Sequence, residues 1–246
     1  MELTIVGCAP AWTRRPGRAS SCYLLEDGGQ VVALDIGQGA FAEMARYVDP
    51  SSLAGVLVSH LHGDHLVDLV PLRHYLMYEA ETAGRTRLHG PAELRGRLNG
   101  LLDEPDFLAA LPGDGLEPGR FELAGMAVEA RHVTHIPDSY AFRLAADDGA
   151  GLIYSGDCAE PADLLPLLRA GDTLLSEAAF GSGPSEAGGH MTARQAAQAA
   201  NEGGAARLVL THILDRRDEQ AARRAAAEVF GGEVLIAQPG LKLTIG

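Results

Sequence analysis

The chain has 246 residues and a formal net charge of −13, from 20 basic against 33 acidic side chains. Its 46% hydrophobic and 22% charged residues exclude a disordered chain, and the acidic balance disfavours extended nucleic-acid binding because it repels phosphate backbones. Cys8, Cys22 and Cys158 are too scattered for a disulfide framework, the N-terminus lacks a basic leader and no apolar stretch is membrane-length, so the expectation is one domain over 1–246 in the cytoplasm, with no membrane partner.

Residues 2–6, 21–26 and 30–35 read as short strands, the last two joined as a hairpin through Asp27-Gly28-Gly29. Helical spacing over 40–47 stops before Asp49-Pro50, and 53–58 is a fully apolar strand. Residues 66–80 read as helix with a break or fresh start near Pro71. The stretch 84–119 carries several Gly and Pro without clear period and reads as a partly irregular excursion, a rim or a dimer surface. Strands resume at 127–132, 140–145 and 151–155, followed by a helix at 162–169 and a strand at 173–176. A helix opens near Thr192, where Thr192 and Gln195 make a capping box, and ends at Gly203-Gly204. A strand at 207–211, an Ala-rich helix around 218–230 and strands at 233–237 and 241–245 close the chain. Strands followed by helices, twice over, imply a layered α/β domain. A weak internal echo accompanies this order: Val56-Leu-Val-Ser-His60-Leu61 and Leu208-Val-Leu-Thr-His212-Ile213 share apolar strand, hydroxyl residue, histidine and aliphatic.

The first echo opens His60-Leu61-His62-Gly63-Asp64-His65 at a strand end, where a sheet fixes the backbone and side chains project into a cleft. His60 and His62 share a side if extended geometry persists, which leaves Asp64 and His65 for a second metal or to hold a base. His212 ends another strand. Asp157 follows a third, after a glycine that permits a sharp turn, and is placed to bridge two cations. His132 and His135, three apart in extended chain, point to opposite faces, so one of the two is expected to bind. Taken singly, His74, His89 and His132 read as surface or hydrogen-bonded residues and Asp157 as a turn residue. Four candidate ligands in six positions, with two more at strand tips, point instead to a metal site with a position left open for water.

This cluster resembles the His-x-His-x-Asp-His signature of the metallo-β-lactamase superfamily, and the likeness runs over nearly the whole chain. Ser155-Gly156-Asp157-Cys158 is similar to the Thr-Gly-Asp-Thr of its ribonuclease Z and small-phosphodiesterase branch. Glu177-Ala-Ala-Phe180 resembles Glu-Ala-Thr-Phe, His190-Met-Thr192 resembles a His-x-Thr/Ser helix start, and Leu208–His212 the final ligand strand. His135-Ile-Pro-Asp-Ser139-Tyr140-Ala-Phe142-Arg143 is similar to His-x-x-x-Ser-Tyr-Gly-Tyr-Arg, which favours His135 over His132. The resemblance implies a four-layer αβ/βα sandwich and two divalent metal ions, zinc first, with Mn2+ or Fe2+ as alternatives. His60, His62 and His135 would hold one ion, Asp64, His65 and His212 the other, and Asp157 would bridge them.

The implied activity is hydrolysis of a small phosphodiester, a cyclic nucleotide or similar, by a hydroxide held between the cations. Asp64 would orient it, His190 would stabilise a phosphoryl oxygen or protonate the leaving group, and Glu177 would orient His190. The ordinary reading of Glu177 and His190 is a helix-end hydrogen bond. Three departures from the family pattern stand out. Asp68-Leu69 stands where Gly-Leu is common, Cys158 replaces a hydroxyl residue and reads as a packed side chain, and 21 residues separate His135 from Asp157. That interval is too short for the long basic arm of transfer-RNA-processing relatives, whereas Arg46–Pro50 resembles a segment of bacterial cyclic-nucleotide-type phosphodiesterases. The alternatives are a carboxylic-ester or lactone hydrolase, a tRNA 3′-processing endoribonuclease and a promiscuous phosphotriester and phosphodiester hydrolase. A di-iron redox protein is opposed by His62, and a dead binding module by the complete ligand set. Family analogy alone implies a homodimer. Arg14, Arg15 and Arg18, with Arg216-Arg217, read as solvated surface, with attraction of a phosphate as the rival reading.

Overall fold

The structure, a computed structural model, describes residues 1–146, 149–185 and 189–246. The chain opens with β1 (Glu2–Gly7), β2 (Cys22–Asp27), β3 (Gln30–Leu34), α1 (Ala40–Met44), β4 (Leu53–Leu57), α2 (Gly63–Leu66), α3 (Leu69–Tyr78), β5 (Arg87–His89) and α4 (Leu94–Leu102). It continues with β6 (Gly119–Leu123), β7 (Met126–His132), β8 (Tyr140–Ala145), β9 (Leu152–Tyr154), β10 (Thr173–Glu177), α5 (Ala193–Glu202), β11 (Arg207–Thr211), α6 (Glu219–Ala227), β12 (Glu233–Ile236) and β13 (Lys242–Thr244). The β2–β3 hairpin turns on Gly28 and Gly29, at φ 54° and 80°, because a two-residue loop of this hand needs positive φ at both positions.

Two sheets form, in the orders β13-β1-β2-β3-β4-β5 and β12-β11-β10-β9-β8-β7-β6. Alternation along the strands builds three apolar layers. Leu3, Ile5, Tyr23, Leu25, Val32 and Leu34 face Val128, Phe142, Leu144, Tyr154, Leu175 and Val209 between the sheets. The other faces of β2–β4, through Leu24, Ala33 and Val56, pack under α1, α3 and α4 with Leu69, Leu72 and Leu98. The outer face of the second sheet, through Leu174, Leu208 and Leu210, packs under the alanines of α5 and α6. This is the expected four-layer αβ/βα sandwich.

Two expectations need correction. The stretch 84–119, expected to be a partly irregular excursion, holds two regular elements within its loops that were not expected: β5 extends the first sheet parallel to β4 and α4 covers it. A three-residue strand is too short to show alternation, and Gly96 and Gly100 weaken the helical signal of α4, whose buried residues are only Leu94 and Leu98. The helix expected at 162–169 is a single 3-10 turn, Pro161–Leu164. Pro166 lacks the amide a helix would need there, and Asp163 is committed to accepting from the Thr134 amide at 2.7 Å. At Pro71 the break falls just upstream: α2 and α3 are separate, and Pro71 sits in the first turn of α3, where no amide partner is lost. The capping box forms as expected, with Thr192 accepting from the Gln195 amide and Gln195 from the Thr192 amide.

The strands β3–β4–β5 and β9–β10–β11–β12 run parallel within their sheets. Their carboxyl ends therefore point the same way and leave side chains at a common edge, where α/β sheets bind ligands.

Candidate metal centre

Five strand ends supply the centre: Asp35 after β3, His60 after β4, Asp157 after β9, Glu177 at the end of β10 and His212 after β11. The internal echo marks two of them, His60 and His212, one from each sheet. Asp35 and His212 hold left-handed backbones, at φ 57° and 56°, and Gly156 turns the chain into Asp157 at φ 55°. A Cβ at Gly156 would lie 2.7 Å from the Tyr140 carbonyl oxygen, so this position requires glycine for its turn and for space.

Two sets of nitrogen and oxygen atoms converge around Asp157. In the outer set, His62 Nδ1 lies 3.0 Å from His60 Nε2 and 3.1 Å from His135 Nε2. Asp157 Oδ2 is 3.6 Å from His60 Nε2 and 3.7 Å from His135 Nε2. In the inner set, Asp64 Oδ2 is 3.5 Å from His65 Nε2 and 3.8 Å from His212 Nε2. Asp157 reaches this set too, with Oδ1 3.4 Å from His65 Nε2 and Oδ2 3.6 Å from His212 Nε2. The sequence-predicted residues thus meet in one place, and His132 is elsewhere, its ring 4.5 Å from that of Tyr140.

The ring orientations are fixed from behind. His60 Nδ1 contacts Ser59 Oγ at 3.0 Å, His135 Nδ1 donates to the Gly189 carbonyl at 2.8 Å and His212 Nδ1 contacts Ser21 Oγ at 3.3 Å. His65 Nδ1 donates to Asp35 at 2.6 Å. Asp35, wholly buried, also accepts from the Ser59 amide at 2.6 Å, Ser59 Oγ at 2.7 Å and the Tyr154 hydroxyl at 2.5 Å. Sequence reasoning missed Asp35, Ser59, Ser21 and Tyr154. The available signals were a carboxylate closing an apolar strand and the hydroxyl residue before each echoed histidine. Thr211, the second of those hydroxyls, bonds Tyr23 Oη at 2.7 Å.

These residues fit a bound cation. With Nδ1 engaged elsewhere, the Nε2 atoms of His60, His65, His135 and His212 face inward, as does Nδ1 of His62. Asp157 Oδ1 and His65 Nε2 are buried 3.4 Å apart, and neither makes a hydrogen bond to any other group among the described residues, a pairing that an ion between them would complete. The atoms of each set lie within 4.8 Å of one another, and nitrogen with carboxylate oxygen is a donor set for zinc and related divalent ions.

Electrostatics divides the two sets. Burial pushes His60, His62 and His135 below the ordinary imidazole range, so those rings are neutral. Burial also opposes charge on His65, but Asp157 and Asp35 outweigh it and raise that ring well above its usual value. Asp157 is held well below the carboxylate range, burial being overcome by His212 and His65.

Beside the sets, Glu177 Oε1 accepts from His190 Nδ1 at 3.1 Å, the Met191 amide at 3.0 Å and the Cys158 amide at 3.2 Å, and Oε2 accepts from the Ala179 amide at 2.8 Å. His190 Nδ1 is 3.8 Å from Asp157 Oδ2. Burial lowers the His190 pKa, yet Glu177 and Asp157 push it up to about 9, so the ring is a cation at neutral pH. Cys158 is a buried thiol in the core under α5, in keeping with a packing role. Arg15 and Arg18 pair with Glu219 at 2.6 and 3.2 Å, on the rim beyond His212.

Residues 33–213 match the family model described as the beta-lactamase superfamily domain. An uncharacterized protein of Mycobacterium tuberculosis is 29% identical over 244 residues, spanning 95% of this chain and 88% of that one. The probable metallo-hydrolase YhfI of Bacillus subtilis is 26% identical over 242 residues, 98% of each chain. Its crystal structure superposes with a TM-score of 0.89 at 25% identity, covering 100% of this chain and 99% of that one. The short form of human tRNase Z superposes over 100% of both chains with a TM-score of 0.76 at 22% identity, a likeness of fold. Among the described residues no helix is long and apolar enough to cross a membrane.

Proposed function

Since this chain belongs to the beta-lactamase superfamily, we propose that its histidine–aspartate cluster is the centre of a two-metal phosphodiesterase acting on small phosphodiesters, with cyclic nucleotides as the leading class. In this reading His60, His62 and His135 hold one divalent ion, Asp64, His65 and His212 hold the other, and Asp157 serves both. Zinc suits the donors. Bound there, two such ions would polarise a phosphoryl oxygen and make water nucleophilic near neutral pH.

The observation that carries the choice of phosphodiester is the placement of His190: its Nδ1 bonds Glu177, which three backbone amides fix in place, and lies 3.8 Å from Asp157 Oδ2 at the edge of the cluster. An imidazolium there complements an anionic phosphoryl group, and it has a proton to give. Asp64 orients the attacking water. An oxygen–phosphorus bond forms from water, the ester P–O bond breaks, the water's proton leaves through Asp64 to solvent, and the leaving oxygen takes a proton from His190. The acyl group of an ester or lactone is uncharged before attack, so His190 would gain less from it than from a phosphodiester, which is anionic throughout. A folded RNA is disfavoured by the net charge of −13 and by the short 135–157 interval.

A substrate panel on zinc-loaded protein tests the reading: bis-aryl phosphate, 3′,5′-cyclic nucleotide, aryl ester, lactone and precursor tRNA. Diester turnover that falls by roughly 100-fold or more in His190→Ala is expected. Ester or lactone cleavage without diester cleavage would contradict it.

A further inference from the structure

The chain has a single tryptophan, Trp12, and its side chain is 58% exposed. Among the described residues no hydrogen bond, ring contact or cation contact involves that side chain, so packing does not account for it. Its backbone, by contrast, is fixed. Trp12 lies in the loop 8–21 between β1 and β2, and both ends of that loop are tied to His212. The His212 amide donates to the Cys8 carbonyl at 3.2 Å, and Ser21 Oγ contacts His212 Nδ1 at 3.3 Å.

The two residues flanking Trp12 are anchored to two different segments, one packed on Asp64 and one following His212. The Ala11 carbonyl accepts from Gln38 Nε2 at 2.7 Å. Gln38 follows Gly37, which packs so closely on Asp64 that a Cβ would lie 1.9 Å from the Asp64 carbonyl oxygen. On the other side Thr13 Oγ1 and the Arg14 amide bond the carboxylate of Asp215, at 3.2 and 2.8 Å, three residues beyond His212. Trp12 therefore stands on the rim between the segments that carry Asp64 and His212. Beside it, Arg15 and Arg18 are committed to Glu219, whereas the Arg14 guanidinium makes no ion pair among the described residues.

A flat aromatic face held at the edge of a phosphoryl site, with an uncommitted cation next to it, is the pair of features that binds a nucleotide: the base stacks and the cation draws in the phosphate. We propose that Trp12 is a nucleobase platform and that the substrate is a nucleotide diester, its base on the indole and its phosphate at the cluster, with Arg14 adding positive charge. This rests on the phosphodiesterase reading and deepens it by naming the side chain that selects nucleotides among small diesters.

Because Trp12 is the only tryptophan, the fluorescence of the full-length, zinc-loaded protein reports this one side chain. A nucleoside 5′-monophosphate should quench it saturably, and ribose 5-phosphate, which lacks the base, should not. In turnover, Trp12→Ala should raise KM for a 3′,5′-cyclic nucleotide about tenfold, with the loss on KM rather than kcat. It should erase most of the preference over a base-free cyclic ribose phosphate, and Trp12→Phe should restore much of it. Equal response to ribose 5-phosphate, or an unchanged KM in Trp12→Ala, overturns the platform. Fluorescence that follows protein concentration but not nucleotide overturns it as well, assigning the indole to contact with a second copy. Absence of turnover of either diester by the unaltered protein sinks the phosphodiesterase reading instead, a result the binding titration distinguishes.

Discussion

The outer and inner ligand sets share Asp157 but are built differently. His60, His62 and His135 contribute three neutral rings, one of them exposed at the mouth, and are braced by a serine hydroxyl and a backbone carbonyl. Asp64, His65 and His212 are all buried, and His65 is backed by Asp35, a carboxylate with four donors and no solvent. The outer set is ready for a cation as it stands, whereas the inner set must release the proton that Asp157 and Asp35 keep on His65. One rim of the centre thus depends on loops and the other on a fixed polar interior.

The largest effect should come from erasing what the sets share. Asp157→Ala is expected to cut turnover by roughly a thousandfold or more, about 4 kcal/mol, and to weaken metal at both sets, measured by steady-state kinetics and metal titration. Asp35→Asn should separate the sets instead. Losing that partner of His65 is expected to weaken the inner ion by about 10–100-fold and the outer one, which Asp35 reaches only through Ser59 and His60, by less, read by chelator competition. Equal weakening of both ions would show that the two are not independently braced.

The pH response sharpens the contrast from a third side. His190 in the metal-free protein is raised from the ordinary imidazole value of about 6.5 to about 9. A raised folded-state value means its contribution to stability is fully present below about pH 6.5 and is lost as pH rises to about 9. Denaturant melts across that window should lose this slope in His190→Gln. The smallest effect is expected at Thr192→Ala, which removes the capping box of α5 and should cost about 1 kcal/mol with metal content unchanged.

Much of this was legible because strands end where chemistry begins. The pattern of apolar run then histidine or aspartate locates His60, Asp157 and His212 directly. His135 needed family resemblance, since His132 fits the same local rule and only tertiary placement separates them. Asp35, Ser59 and Tyr154 act through other residues: Asp35 and Ser59 show only a strand-end carboxylate and an echoed hydroxyl, and nothing in the spacing tells which partners they meet across the sheets. The helix missed within 84–119 and the one wrongly expected at 162–169 have a local cause: glycines inside α4 blurred a real helix, and apolar residues around Pro166 imitated one. The helix register could be read where caps and periodicity agreed, as at Thr192.

The central claim is that one carboxylate joins two separate ion positions. Anomalous diffraction from zinc-loaded crystals tests it most directly. Two peaks are predicted, one among His60, His62 and His135 and one among Asp64, His65 and His212, with Asp157 between them. A single peak, or one displaced from Asp157, would contradict the account.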